Sequence, residues 1–330
     1  MKRYLLSSIF IVGMSWGQSM LAKNELKKVT FRPQWVPQAQ FAGYYVAAKN
    51  GFYKDAGLDV QILSGGPAIH GLVDVAAKKT TFCTDLFMSG LVMASKGAPI
   101  VNIAQTHQTT GLMLISYKKD GIDKPEKMNG KKVGVWPGLF EIPPSVFARK
   151  YGAKVTNIQQ GFTMDLFLEK KLDLASAMIY NEYHVVLDAG VKQSDLNEFK
   201  YQDFGLNFPD DGVYAHPETC TNDPQLCKSF IEASIKGWLW AFDNHEKATE
   251  IVMEAANSAK TNTTYKHQLR MLKETEKLIL YKKGREGIGQ LSKEDFDFVL
   301  GELIKTGKIT ESGKSKLTYE SYYKPALSRK

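Results

Sequence analysis

Between Lys28 and about Ser116, short apolar or alternating runs take turns with stretches whose apolar residues recur at three and four spacing. The runs "KKVTFRPQW", "LDVQIL", "TTFCTDLF", "IVNIAQT" and "LMLISY" read as strands, with "FAGYYVAAKNG", "AIHGLVDVAAKK" and "SGLVMASKG" as the helices among them. Strands alternating with helices of this length imply crossover units and a mainly parallel sheet covered on both faces. The Gly-, Pro- and charge-rich "KKDGIDKPEKMNGKK" then reads as a surface link. A second α/β set follows in "KVGVW", "SVFARKYG", "VTNIQQ", "TMDLFLEKKLD", "LASAMIY" and "NEYHVVLDAG". After "DDGVYAHPE" the pattern turns helical, with Asp or Ser starts and Gly stops, and these helices are expected to cover the first lobe. The pattern therefore predicts two α/β lobes joined by two crossings, near residues 116–119 and 211–215, with a cleft between them. The expected division is residues 1–22 as a leader, 23–116 as the first part of lobe I, 117–213 as lobe II, and 214–330 as the completion of lobe I with its C-terminal helices.

The leader expectation rests on "MKRYLLSSIFIVGMSWGQSMLA", in which Lys2 and Arg3 precede an apolar run and then small residues, the layout of a secretory signal. Cleavage is expected after Ala22, with Gly17 or Ser19 as other ends, since Met20 fits the small-x-small rule poorly. The apolar run is short for a membrane anchor. No cysteine precedes Cys83, so no acylation site stands at the junction, and retention behind an outer membrane makes the periplasm the expected location.

At 330 residues, 43% hydrophobic and 24% charged, the chain is long enough for real cores and is neither disordered nor collagen-like. Loss of Lys2 and Arg3 takes the formal charge from +8 to +6, and the remaining lysines are scattered without a basic stripe, which argues against nucleic-acid binding. In "CTNDPQLC", Cys220 and Cys227 stand close enough to bridge in an oxidising compartment, or to remain free thiols. Six scattered histidines and the absence of paired-cysteine spacing give no metal site.

In open α/β sheets the ligand crevice lies beyond the carboxyl ends of the strands, so four strand-to-helix turns carry the candidate chemistry. The first holds Trp35, Gln38 and Gln40, with Phe41 starting the next helix; Phe41, Tyr44, Tyr45 and Ala48 also share a helical spacing that favours the core. The second holds Asp85, which could face the crevice or cap a helix. The third is "VGVWPGLFEIPP", with Trp136 at a strand end and Glu141 before a proline-started helix. The fourth is "SAMIYNEYHVV", with Tyr180, Asn181 and Glu182; Asn181 could equally be a simple cap. Rings to stack and amides or carboxylates to read donors suit a flat, hydrogen-bonding heterocycle. An anion would call on arginine, and the arginines lie outside these positions. "SGGPAIHG" lacks the lysine and hydroxyl of a P-loop.

At "WVPQAQFAGYYVAAKNGFYKDAGLDV", "GKKVGVWPG", "IQQGF", "AMIYNEY" and "DDGVYA" the sequence resembles the solute-binding proteins of ABC transporters related to thiamine-pyrimidine synthase, over about residues 28–244. The resemblance implies the two-lobed, hinge-closing periplasmic binding protein fold (type II), a monomer without cofactor, and an inner-membrane ABC permease as partner. It implies as ligand a thiamine pyrimidine precursor, hydroxymethylpyrimidine or formylaminopyrimidine, or riboflavin. It also implies that Trp35, Gln40, Phe41, Asp85, Trp136, Glu141, Tyr180, Asn181 and Glu182 face the cleft, with Trp35 and Trp136 sandwiching the ring. Leu139 and Phe140 replace small and amide groups of relatives. The family's enzymes use pyridoxal phosphate and iron with a lysine and a histidine where Thr84 and Met88 stand here, which speaks against catalysis. A sensory input domain is the other alternative, disfavoured because no membrane helix follows the lobes.

Overall fold

The computed structural model describes residues 25–327, so the leader and its cleavage point lie outside the described residues. The apolar runs become ten strands: β1 Lys27–Arg32, β2 Leu58–Ile62, β3 Phe82–Leu86, β4 Val101–Gln105, β5 Leu112–Tyr117, β6 Lys132–Val135, β7 Thr156–Gln159, β8 Leu174–Met178, β9 Leu196–Lys200 and β10 Asp211–Ala215. They form two five-stranded sheets, ordered β2-β1-β3-β10-β4 and β7-β6-β8-β5-β9. Both sheets are mainly parallel, and the odd strand in each is the one that arrives from the other lobe. β10 runs antiparallel to β3 and β4, and β5 antiparallel to β8 and β9. The expected two-lobed α/β layout is thus present.

The crossings fall earlier than the sequence pattern suggested. β5 belongs to the second sheet and β10 to the first, so the chain crosses at residues 106–111 and 201–210 rather than near 116–119 and 211–215. The physical reason is that a run such as "LMLISY" carries the same local signal in either lobe. Its sheet is decided by which strand edge it pairs with, here Met113 opposite Ala177 and Leu114 opposite Phe199. β9 carries too weak an alternation to stand out from the polar residues around it.

The two crossings are stitched together by polar groups. The backbone N–H groups of Thr106 and His107 and the Thr106 hydroxyl all donate to the Asp211 carbonyl, the hydroxyl at 2.6 Å. The Gln105 amide donates to the carbonyls of His107 and Asp210 at 3.0 and 3.1 Å, and Asn207 donates to the Gln108 carbonyl at 3.0 Å. Every residue from Thr106 to Thr110 is buried, so each of these backbone groups needs a protein partner.

The C-terminal helices do cover the first lobe. The Pro224–Asp243 helix lies along the Ala42–Lys49 helix, with Trp238 fully buried and edge-on to Tyr44 at 5.7 Å. A Cβ on Gly43 would overlap the Trp238 ring, and one on Gly237 would overlap the Gly43 carbonyl, so the close approach depends on both glycines. Cys220 and Cys227 are joined as a disulfide, with Cα atoms 5.6 Å apart, which resolves the alternative the sequence left open. Cys83 is buried and free.

Candidate functional site

The carboxyl ends of β1 and β3 from one lobe and of β6, β7 and β8 from the other converge on the cleft between the lobes. The loop after β1 is pinned rather than free: the Gln34 N–H donates to the Thr84 hydroxyl at 3.0 Å, and the Ala39 N–H to the Gln268 amide oxygen at 2.6 Å. Two glutamine side chains then bond one carboxylate, and a third is tied to it through one of them. Gln38 donates to the Gln40 amide oxygen, Gln40 donates to Asp211 at 3.5 Å, and Gln34 donates to the other Asp211 oxygen at 2.5 Å. Gln38 and Gln40 are buried, and their polar groups serve the protein's own network.

Asp211 sits beside Asp210 at the end of the second crossing. Burial pushes the Asp211 carboxyl well above the usual range, with the Asp210 and Asp85 charges adding to it and the glutamine hydrogen bonds opposing. Asp210 accepts from the Gly111 N–H at 2.7 Å and is raised by burial to about 7. Asp85 is raised by burial to about 6; its carboxylate accepts from the Leu86 N–H at 2.8 Å and from Ser89, so it takes up a local role at the start of the next helix. Burial holds the nearby His107 imidazole down at about 3, so that ring is neutral at any physiological pH.

Phe41, a candidate by its position at the helix start, is fully buried in the lobe core and presents no surface to the cleft. The helical spacing it shares with Tyr44 is the stronger signal at that position. Trp35 is half-buried, and its ring lies 5.7 Å from Phe162 of the other lobe, tilted by 57°.

On the second lobe Trp136 is buried, at 6% exposed. Its indole N–H donates to the Gly161 carbonyl at 2.8 Å, and its ring meets Phe140 edge-on at 5.7 Å. Glu141 is half-buried in the short helical turn Gly138–Glu141, just before the Ile142–Lys150 helix. The Tyr180 ring packs directly over Gly111, where a Cβ would come within 2.6 Å of it, so the aromatic rests on the first crossing. Glu182 accepts from the Met178 N–H at 3.0 Å and from the Asn181 amide at 2.6 Å, and burial raises its carboxyl. Asn181 also bonds His267 of the C-terminal helices at 2.8 Å, a direct link between the lobes.

Further ion pairs close the same seam. Arg149 meets Glu302, itself only 6% exposed, and Arg270 meets Asp188. Arg32, at the end of β1, is held by Asp74 at 3.2 Å and donates to the Ser64 carbonyl at 2.5 Å, so it is engaged within its own lobe. Gln34, Phe162, Asp210, Asp211 and His267 join the site in addition to the residues that the sequence pattern singles out. "IQQGF" and "DDGVYA" contain three of them: Phe162 lies in the turn between the "VTNIQQ" strand and the helix after it, a signal that could have found it, whereas Asp210 and Asp211 lead into a strand and carry no such mark. No group of three or more His, Cys, Asp or Glu side chains among the described residues is placed to hold a metal ion. An open groove of about 640 Å³ bordered by Phe296, Leu300, Leu317 and Tyr319 shares no residue with the cleft.

The family model described as NMT1/THI5 like matches residues 38–248. The riboflavin-binding protein RibY of Chloroflexus aurantiacus is 24% identical over 242 residues, covering 71% of this chain and 68% of that protein. The formylaminopyrimidine-binding protein of Halalkalibacterium halodurans is 23% identical over 243 residues, covering 71% and 72%. Among solved structures, a ligand-binding component of an ABC-type import system from Staphylococcus aureus aligns with TM-score 0.64 at 8% identity, covering 91% of this chain and 97% of that one. The periplasmic aliphatic sulphonate-binding protein SsuA of Escherichia coli aligns with TM-score 0.60 at 10% identity, covering 76% and 78%. The desulfurization enzyme DSZB aligns with TM-score 0.57 at 11% identity over 91% and 96%, so this fold hosts an enzyme as well as binding proteins.

Proposed function

The chain belongs to the NMT1/THI5-like family, and on that premise we propose that it is the substrate-binding component of an ABC importer that captures a flat heterocyclic vitamin or vitamin precursor. The ligand is a thiamine pyrimidine precursor, hydroxymethylpyrimidine or formylaminopyrimidine, or it is riboflavin. Its activity is binding rather than catalysis. The protein works as a monomer in the periplasm and hands its ligand to an inner-membrane permease.

The observation that carries this proposal is the cleft itself, where aromatic rings and carboxyl groups from both lobes meet around two short crossings. Trp35 meets Phe162 from the opposite lobe, and the half-buried carboxylate of Glu141 and the network of Glu182 and Asn181 stand on the same side as Phe162. Rings stack on a flat heterocycle, and carboxylates accept its N–H and O–H groups. On the first lobe the Asp85 carboxylate is engaged by the Leu86 N–H and Ser89, and Gln38 and Gln40 are tied to each other and to Asp211, so these groups support that side of the site. The guanidinium of Arg32 is already neutralised by Asp74, which disfavours an anionic ligand at that strand end. Names of the relatives support the two ligand classes. Closure of the lobes about residues 106–111 and 201–210 would bury the ligand.

The test is titration of the purified protein with riboflavin, hydroxymethylpyrimidine and formylaminopyrimidine, followed by tryptophan fluorescence. A saturable change with at least one of them is expected. Silence with all three removes the ligand class.

A further inference from the structure

Phe162 is 72% exposed, the most exposed of the large hydrophobic side chains among the described residues. A large apolar ring left in water is informative when the backbone beneath it is fixed, because local disorder then cannot account for it. Here it is anchored on both flanks of the ring. The Gln160 N–H donates to the Val135 carbonyl at 2.8 Å, and the buried Gln160 side chain donates to the Ser176 carbonyl at 2.8 Å. The Gly161 carbonyl accepts from Trp136, and Met164 is buried two residues further on. The loop is anchored, yet it aims its one aromatic ring outward at the opposite lobe, where it meets the ring of Trp35.

We infer that Phe162 is a ligand-contacting residue, the second jaw that closes with Trp35 on the ring of the bound heterocycle, and that Trp136 is a positioning residue for it. This rests on the proposed function and changes how that site works. Trp136 is committed on both fronts: its N–H holds Gly161 and its face is covered by the protein, so it shapes the loop on which Phe162 stands. Trp35 and Phe162 are on opposite sides of both crossings, so hinge motion changes their separation directly. They now stand 5.7 Å apart, and a flat ring inserted between two others needs about 7 Å, two carbon contact distances of about 3.5 Å. A small opening and a turn of the rings towards parallel would admit it, while two rings in contact would shut the empty site.

The experiment is calorimetric titration of wild type, Phe162→Ala, Phe162→Tyr and Trp136→Phe with riboflavin, hydroxymethylpyrimidine and formylaminopyrimidine, with a melting curve for each variant. Phe162→Ala is expected to raise the Kd of the ligand that wild type binds at least tenfold, through faster dissociation, with an unchanged melting temperature. Phe162→Tyr should restore binding to within about threefold of wild type, since it keeps the ring. Trp136→Phe keeps a ring but loses the N–H; it should weaken binding by less than Phe162→Ala does. A Phe162→Ala protein that binds as wild type does overturns the inference and leaves the proposed function standing. Failure of Phe162→Tyr to restore binding overturns the stacking role. If wild type itself takes none of the three ligands, the functional proposal falls and the jaw falls with it.

Discussion

Asp210→Asn should change the pH dependence of stability in a defined direction. Asp210 is 7% exposed at the junction of the two crossings, and its carboxyl titrates near 7 in the folded chain against an ordinary 3.8, because burial disfavours the charge. Below pH 3.8 both states hold the proton, and the contribution is fully present. As pH rises the unfolded chain loses the proton first, so stability falls until the folded carboxyl ionises near 7. At about 1.4 kcal/mol per tenfold change in proton affinity, the loss between pH 4.5 and pH 8 is about 3 kcal/mol. Asparagine keeps an oxygen to accept from the Gly111 N–H and has no proton to lose. Its amide N–H₂ needs an acceptor of its own, which costs about 1 kcal/mol at every pH. Wild type has itself lost about 1 kcal/mol by pH 4.5, so the variant is about as stable as wild type there and about 3 kcal/mol more stable at pH 8. Urea unfolding at both pH values, read by tryptophan fluorescence, gives the difference between the proteins. A difference that stays constant across that range would refute the assignment of the retained proton to Asp210.

Four further outcomes are expected. Trp35→Ala should abolish ligand binding with little loss of stability, since the ring is only half-buried; a collapse of the fold instead would return Trp35 to the core. Gly43→Ala should destabilise by about 3 kcal/mol in urea unfolding, because its Cβ overlaps the fully buried Trp238 ring and overpacking of this kind is poorly relaxed; a loss under 1 kcal/mol would mean the two helices can separate at small cost. Replacing Cys220 and Cys227 by serine should cost about 2.5 kcal/mol, the chain entropy of so short a closed loop, and should make stability insensitive to reductant. Arg149→Ala leaves the buried Glu302 with Lys305 alone and should cost about 1–3 kcal/mol while increasing the radius of gyration in small-angle scattering as the lobes part; an unchanged scattering curve would exclude the pair as a latch.

The sequence by itself determined the local elements and the class of fold. Apolar alternation marked β1 to β8, three and four spacing marked the C-terminal helices, and proline and glycine marked the turns, because each is written within a few residues of itself. It also determined that Trp35 and Trp136 stand at strand ends, where crevices form. Only the tertiary structure decided which sheet receives β5 and β10, and therefore where the crossings lie. Only it decided that Gln34, Gln38 and Gln40 spend their amides around Asp211, and that Trp136 grips Gly161 while Phe162 faces Trp35. The physical reason is the same in each case. Periodicity records which face of an element is apolar, whereas strand pairing, carboxylate burial and ring contact depend on groups far apart in the chain, whose meeting no local pattern encodes.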